Sequence, residues 1–338
     1  MATTNFGLRA AFFASRPISW INTAAPYFLG SVLAHQTLLP TVLGSLYFLF
    51  PYNVMLYGIN DIFDYESDIK NPRKGLTSVE GSIVAKAGHR RLWQWIAVTN
   101  IPFIIYFIFS GSLISRLWFV FLLFMAVAYS LKGLRFKEIA FLDSFTSSTH
   151  FYSPFVYGLL LAGSSSLYVP GLIAFVFWGM ASHAYGAIQD ITYDRQAGIG
   201  SIGTAFGLRF TLLFCLGLYI VAALLPALAY GWYGVSASIA LLLYVYNCLG
   251  FLKLRNDEDA PQTNRGWKNF LWINIVVGFW ITQMMLLAFN PFGLNNSVIN
   301  IVTIALYLIG MVLLVRSLRW IYKTTNILPT NRNSRAKG

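Results

Sequence analysis

Hydrophobic residues in this chain come in long, nearly unbroken blocks. Apolar stretches of spanning or near-spanning length lie at about 17–35, 40–59, 92–110, 113–131, 144–163, 168–188, 210–230, 233–252, 269–289 and 298–316. A helix needs ~20 apolar residues to cross the hydrocarbon core of a bilayer, so each block predicts a spanning helix. Two are weaker. The first mixes in Asn22, Thr23, Pro26 and His35, and the fifth carries Ser144, Thr146, Ser147, Ser148, Thr149 and His150. On one side of the blocks the connections are tight and almost uncharged, as at Gly111-Ser112, Gly163-Ser164-Ser165-Ser166 and Gly231.

Charge orients this pattern. The 338 residues are 57% hydrophobic and 11% charged, against about 25% charged in soluble domains. With the N-terminus placed in the cytoplasm, every Lys and Arg except Arg116 falls in a cytoplasmic segment, and so does every Asp and Glu. The positive-inside rule therefore predicts a multi-pass protein of the cell membrane with its ionic chemistry facing the cytoplasm. The same bias accounts for the net charge of +12 without a nucleic-acid partner. The expected fold is all-α: a polytopic transmembrane helical bundle of nine to ten spans around a central cavity open to the cytoplasmic side. It forms a single domain over 1–338, with motif loops at about 60–91 and 189–209. The opening MATTNFGLRAAFFASRP has its apolar run broken by Arg9 and Arg16, so no removable leader is expected. Cys215 and Cys248 lie in apolar blocks without metal-ligand spacing.

Candidate chemistry begins at Tyr57–Gly75, YGINDIFDYESDIKNPRKG, where Asp61, Asp64, Glu66 and Asp68 crowd the end of the second span. Asn60, Asp64 and Asp68 step by four, and each such step turns only ~40° about a helix axis, so they share a face, with Asp61 on its flank. Carboxylates this close coexist when hydrated, neutralised by bases or bound to a cation. Oxygen ligands without Cys or clustered His suit a hard ion such as Mg2+, which commonly bridges a few carboxylates to phosphate oxygens. A solvated, charged helix end is the plainer reading of this cluster alone.

A second pair shifts that balance. Asp190 and Asp194, in YGAIQDITYDRQAGIG, are again four apart at the end of a span, the sixth. Each acidic helix end is followed by a loop with bases and glycines, a loose internal repeat of the kind that brings two halves of a membrane fold to one site. A metal-bridged diphosphate fits between them, with Arg73, Lys74, Lys132, Arg135 and Arg195 near enough in sequence to neutralise its remaining oxygens. Metals there make diphosphate a good leaving group. An allylic cation left behind would need a dry pocket and aromatic faces, for which Tyr57, Phe63, Tyr65, Tyr185 and Tyr193 are candidates.

N-D-x-x-D-x-x-x-D at 60–68 with D-x-x-x-D at 190–194 resembles the UbiA-type intramembrane prenyltransferases over nearly the whole chain. The resemblance implies Mg2+ and prenyl diphosphate binding by Asn60, Asp61, Asp64, Asp68, Asp190 and Asp194, with Asp64, Asp190 and Asp194 central to catalysis. It also implies diphosphate binding by a Tyr-Lys element, here Tyr129 and Lys132 in YSLKGLRFK. The family commonly has nine spans, so the block at 298–316 departs from the common plan. NDIFDYESDIKNPRKG, LRFKEIAFLDS, and HAYGAIQDITYDRQAGI followed by SIGTAFG look like the lycopene elongase branch. That likeness implies dimethylallyl transfer to lycopene, giving C45 and C50 carotenoids in the bilayer, beside other enzymes of the same pathway. A prenyltransferase for quinone, chlorophyll or haem precursors is the rival within the fold. A transporter is the rival outside it, although transporter sites sit nearer the bilayer midplane.

Other polar residues have plainer expectations. His150 and His183 read as hydrogen-bonded packing residues, with substrate contact as the alternative. Asp143 reads as an ion-pair partner of Arg135 or Lys137, or else as an aid in ending the cation. Asp257, Glu258 and Asp259 read as a solvated run. Arg16 reads as snorkelling to the interface, with diphosphate contact as the alternative. Gly198, Gly200, Gly203 and Gly207 are too scattered for a phosphate fingerprint and read as a flexible loop able to form a lid.

Overall fold

The computed structural model describes residues 7–69 and 83–325, and the regular structure among them is helical. In chain order the helices are α1 (Leu8–Ala14), α2 (Ile21–Leu33), α3 (Leu38–Leu49), α4 (Pro51–Phe63), α5 (Tyr65–Asp68), α6 (Lys86–Phe109) and α7 (Leu113–Ser130). There follow α8 (Leu142–Leu161), α9 (Val169–Ile188), α10 (Ile191–Ala197), α11 (Ile202–Ala229), α12 (Gly231–Leu249), α13 (Asn264–Phe289) and α14 (Asn296–Thr325). Eight helical stretches among the described residues are long and apolar enough to span, with α3 and α4 running on as one stretch, Leu38–Phe63. The two predicted spans that fall short are the two weak ones. α2 has 13 residues and contains Pro26. α8 is long enough but polar, and it is buried along almost its whole length. A helix enclosed by protein has no lipid-facing side to keep apolar, so the Ser/Thr-rich block is the centre of the bundle.

The bundle has two hydrophobic cores. One gathers Tyr47, Phe48, Tyr52, Leu92, Phe107 and Phe119 from α3, α4, α6 and α7. The other gathers Tyr185, Leu212, Tyr219, Tyr244, Ile273 and Trp280 from α9, α11, α12 and α13. A smaller cluster of Leu29, Leu33, Phe155 and Leu159 joins α2 to α8 along the seam. The predicted two-half organisation is thus visible as packing. α14 packs on the second core through Leu306 and Ile321 and exposes Ile301, Ile304, Leu308 and Met311 on its other side. Its 30 residues make about 45 Å of helix, ample for a bilayer.

Two local features fix the seam. α2 and α8 cross in backbone contact: a Cβ on Gly30 would stand 2.3 Å from the Phe155 carbonyl oxygen, and one on Gly158 2.6 Å from that of Tyr27. α11 is broken at Gly207, whose φ of +77° and ψ of 175° suit glycine alone. Beyond the break the helix restarts at Leu208, whose backbone N–H donates to Asp257 Oδ1 at 2.7 Å. Asp257 is therefore a cap supplied from a distant turn and not part of a solvated run. Its other oxygen accepts from Arg195 at 2.5 Å. The glycines after Asp194 are likewise packing and turn positions, since a Cβ on Gly200 would meet the Glu138 carbonyl at 2.2 Å.

Three substitutions test this packing. Gly158→Ala lowers the unfolding temperature in detergent, by a cost of about 1–3 kcal/mol, because backbone on the facing helix cannot retreat. Gly217→Ala, with nothing within 4 Å of the new methyl, leaves that temperature unchanged or higher. Asp257→Ala strips the cap from Leu208 and costs about 1–2 kcal/mol in the same measurement.

Candidate active site

Between the two cores lies a cavity of about 720 Å³. Asn60 at the end of α4, with Asp64 and Asp68 just beyond, lines one side, and Asp190 and Asp194 beside α10 line the other. Asp64 closes α4 as its C-terminal cap residue, and Asp190 opens α10 as its N-terminal cap residue. Both acidic motifs therefore sit where a spanning helix gives way to a short one, which turns their carboxylates across the bundle axis.

Asp64 is held by two bases. Lys137 Nζ pairs with Oδ2, and Arg135 Nη2 lies 3.4 Å from Oδ1. Arg135 also pairs with Glu138, and that hydrogen bond leads the causes that raise its pKa. Arg135 adopts a left-handed backbone conformation (φ +43°) at the start of the turn Phe136–Glu138, which brings both bases inward after α7. The base expected to accompany Tyr129 was Lys132. Lys132 is exposed and lies outside the cavity lining, whereas Lys137 lines the cavity with its Nζ 6.0 Å from the Tyr129 ring centre. Tyr129 and Lys137, not Lys132, are the tyrosine and lysine that line the cavity at this turn.

Asp61 has a different setting from its neighbours. It is buried outside the cavity lining, 3.0 Å from Arg16 Nη2. Arg16 lines the cavity, and its guanidinium stacks over Tyr57 at 4.4 Å. Burial would lower the pKa of Arg16, but Asp61, Tyr57 and Asp68 together outweigh it and hold it above its ordinary value. Arg16 thus faces the site instead of snorkelling to the interface. Arg195, expected at the diphosphate, is occupied by Asp257 and by the Thr204 carbonyl, which it meets at 3.0 Å and 3.1 Å; it does not line the cavity. Arg73 and Lys74 lie outside the described residues.

Asp143 forms no pair with Arg135 or Lys137. Fully buried, it accepts from Ser144 N–H at 2.5 Å and from Ile202 N–H at 2.7 Å, so it caps α11. His183 Nε2 stands 3.8 Å from its Oδ2 and lines the cavity, as does His150, whose Nδ1 meets Tyr52 at 3.2 Å. Of the aromatic candidates, Tyr57 and Tyr193 line the cavity. Tyr185 belongs to the second core, Phe63 packs on the first, and Tyr65 stacks edge-on with His89. Sequence reasoning missed Phe151, Trp178, Trp267 and Phe270, which complete the wall. Trp267 and Phe270 stack at 5.1 Å. Their spacing looks like any other spanning block, so no signal marked them.

A second cavity, of about 500 Å³, is bounded by α2, α9, α12 and α13 with mostly apolar side chains. Asn22, Trp178 and Asn274 line both cavities and form the junction between them.

The two acidic motifs present oxygen donors to the first cavity, an amide and carboxylates, and no cysteine lines it. These donors fit a hard divalent ion. Among the described residues no three acidic or histidine side chains gather as a closed cage. Asn60, Asp64, Asp68, Asp190 and Asp194 are the residues that would hold such an ion, which would supply countercharge to a polyanion there.

Removing Arg16 takes this ion pair away from a buried carboxylate. Arg16→Met is expected to cost about 3–5 kcal/mol, read as a lower unfolding temperature in detergent. Arg16→Met with Asp61→Leu recovers part of that loss, since the pair is then replaced by apolar groups.

Known proteins resemble the chain in sequence and in fold. The model of the UbiA prenyltransferase family matches residues 23–275. A lycopene elongase/hydratase of Corynebacterium glutamicum is 42% identical over 289 residues, covering 82% of this chain and 97% of that protein. The C(50) beta-cyclic carotenoids biosynthesis protein LbtBC of a Dietzia species is 44% identical over 285 residues, 82% of this chain but only 65% of its own length. In fold the chain is similar to a UbiA homolog from Archaeoglobus fulgidus bound to DMAPP and Mg2+. The TM-score is 0.56 at 16% identity, over 94% of this chain and 100% of that one. This all-helical membrane protein belongs to the UbiA prenyltransferase family and is a prenyltransferase.

Proposed function

We propose that the protein transfers a dimethylallyl group from its diphosphate to the end of lycopene, giving C45 and then C50 carotenoids, with Mg2+ as the required ion. The observation that carries this reading is the junction of the two cavities at Asn22, Trp178 and Asn274. A charged chamber meets an apolar one far larger than a five-carbon donor chain fills. The remaining apolar volume suits a long hydrocarbon acceptor whose tip reaches the chamber. Relatives named lycopene elongase/hydratase support the same acceptor. A neighbour bound to DMAPP and Mg2+ supports the donor and the ion.

On this reading Asn60, Asp64, Asp68, Asp190 and Asp194 hold the ion and the diphosphate between them. When bound, Mg2+ neutralises the negative charge that builds on the departing diphosphate. Arg16, Arg135 and Lys137 take the remaining oxygens by charge-assisted hydrogen bonds. Two of them already lie against Asp64, so exchanging a carboxylate for phosphate needs only a shift of side chains. Lys132 and Arg195 have no part in this, and Asp61 serves by holding Arg16. Tyr129, Phe151, Trp178 and Phe270 present aromatic faces and exclude water, and a desolvated cation over such a face gains about 2 kcal/mol. The chamber opens toward the cytoplasm, where the basic loops lie, and the protein sits in the cell membrane, able to receive its acceptor from neighbouring enzymes.

Two measurements test this. Purified protein is given labelled dimethylallyl diphosphate with lycopene or with 4-hydroxybenzoate. Label in an elongated polyene supports the acceptor, and label in prenylated benzoate contradicts it. Asp64→Ala and Asp190→Ala each lower diphosphate release by about 100-fold or more. A chelator abolishes it in the wild type, and added Mg2+ restores it.

A further inference from the structure

We infer that His183, oriented by Asp143, is the base that ends the reaction by taking the final proton. The inference rests on the acceptor reading above and deepens it. His183 on the cavity wall and the fully buried Asp143 behind it form an acid–imidazole pair that neither diphosphate binding nor ionisation uses. Asp143 cannot swing away. Its Oδ1 accepts from the Ser144 N–H and hydroxyl at 2.5 Å and 3.0 Å, and its Oδ2 accepts from the Ile202 N–H at 2.7 Å. The same Oδ2 lies 3.8 Å from His183 Nε2. A carboxylate at that nitrogen favours the tautomer protonated there, leaves Nδ1 as the lone-pair nitrogen, and stabilises the imidazolium once a proton arrives. The Tyr129 ring lies edge-on to His183 at 6.1 Å, and His150 and Lys137 lie against the same ring.

Position along α9 supplies the second half of the inference. His183 lies about two turns, roughly 10 Å, from Asp190 along the helix direction, and Trp178 lies roughly 7 Å farther still. From the diphosphate end inward, the wall therefore presents acids, then the small residues Gly186 and Ala187, then His183 and Ser182, then Trp178 at the mouth of the apolar cavity. A donor with its diphosphate among the acids and an acceptor entering past Trp178 meet near His183. The donor C–O bond breaks and both electrons leave with diphosphate. The π pair of the acceptor's terminal double bond forms the new C–C bond, leaving a tertiary cation on the acceptor. His183 then takes a proton from a carbon flanking that cation, and the C–H pair becomes a double bond. If a water adds first, the proton comes from that water. The departed diphosphate lies at the far end of the chamber, which leaves His183 the nearer base.

The test uses the full-length protein in detergent with Mg2+, labelled dimethylallyl diphosphate and lycopene. Diphosphate release and elongated product are measured together. His183→Gln is expected to keep releasing diphosphate, with label appearing as dimethylallyl alcohol, while elongated product per diphosphate falls about 100-fold. Imidazole added to His183→Ala restores part of that ratio. A His183→Gln protein with the wild-type ratio overturns the inference. So does joint loss of release and product in His183→Gln when imidazole does not rescue His183→Ala. A wild type that makes no elongated polyene overturns the acceptor reading and this inference with it. That failure is recognised because it appears before any substitution is made.

Discussion

Carboxylates gathered on one cavity govern this structure. Two unit charges 4 Å apart near a protein surface interact by about 4 kcal/mol, so opposed carboxylates must be supplied with countercharge. The chain supplies it from its own bases. Lys137 and Arg135 lie against Asp64, and Arg16 lies against Asp61. On the proposed reading these bases stand in for Mg2+ and are released to phosphate oxygens when the ion and its ligand enter together. The site is then stable in both states, and neither the cation nor the diphosphate alone completes the charge balance.

The rest of the fold keeps the two acidic ends opposed. Each belongs to its own hydrophobic core, and the cores meet along α2 and α8, where Gly30 and Gly158 bring the backbones into contact. α8 is enclosed and polar, so it can carry Ser147 and His150 to the cavity, and Asp143 behind it, at a depth where a lipid-facing helix would be all apolar. The Gly207 break lets the start of α11 reach Asp143, while Asp257 caps the second segment. Polar residues inside the membrane region thus fall into two sets: those that tie helices together and those that line the chamber.

The helical blocks were legible because hydrocarbon thickness imposes a length that ordinary cores do not. The two weak blocks were also legible as weak, and their weakness has a cause in the enclosed position of α8 and the shortness of α2. The spacing of Asn60, Asp64 and Asp68, and of Asp190 and Asp194, singled out residues that line one cavity. What the sequence could not display was the partner of each charge. Lys132 and Lys137 are equivalent in a string, and only the left-handed turn at Arg135 decides between them. Asp143 read as an ion-pair partner, Asp257 as part of a solvated run and Arg195 as a diphosphate ligand, yet each is bound to a backbone group of α11, one far away in the chain for the two aspartates. The aromatic wall was hidden for the opposite reason: in a chain with 28 Phe, 19 Tyr and 10 Trp, no single ring stands out.

The opposed acids can be tested without turnover. A dimethylallyl thiolodiphosphate, which resists ionisation, is titrated onto purified protein with and without Mg2+, and binding is read calorimetrically. Tight binding that requires Mg2+ and is lost equally in Asp64→Asn and Asp190→Asn is the expected result. Full affinity retained by either variant, or binding indifferent to Mg2+, would mean that one small polyanion does not span the two motifs.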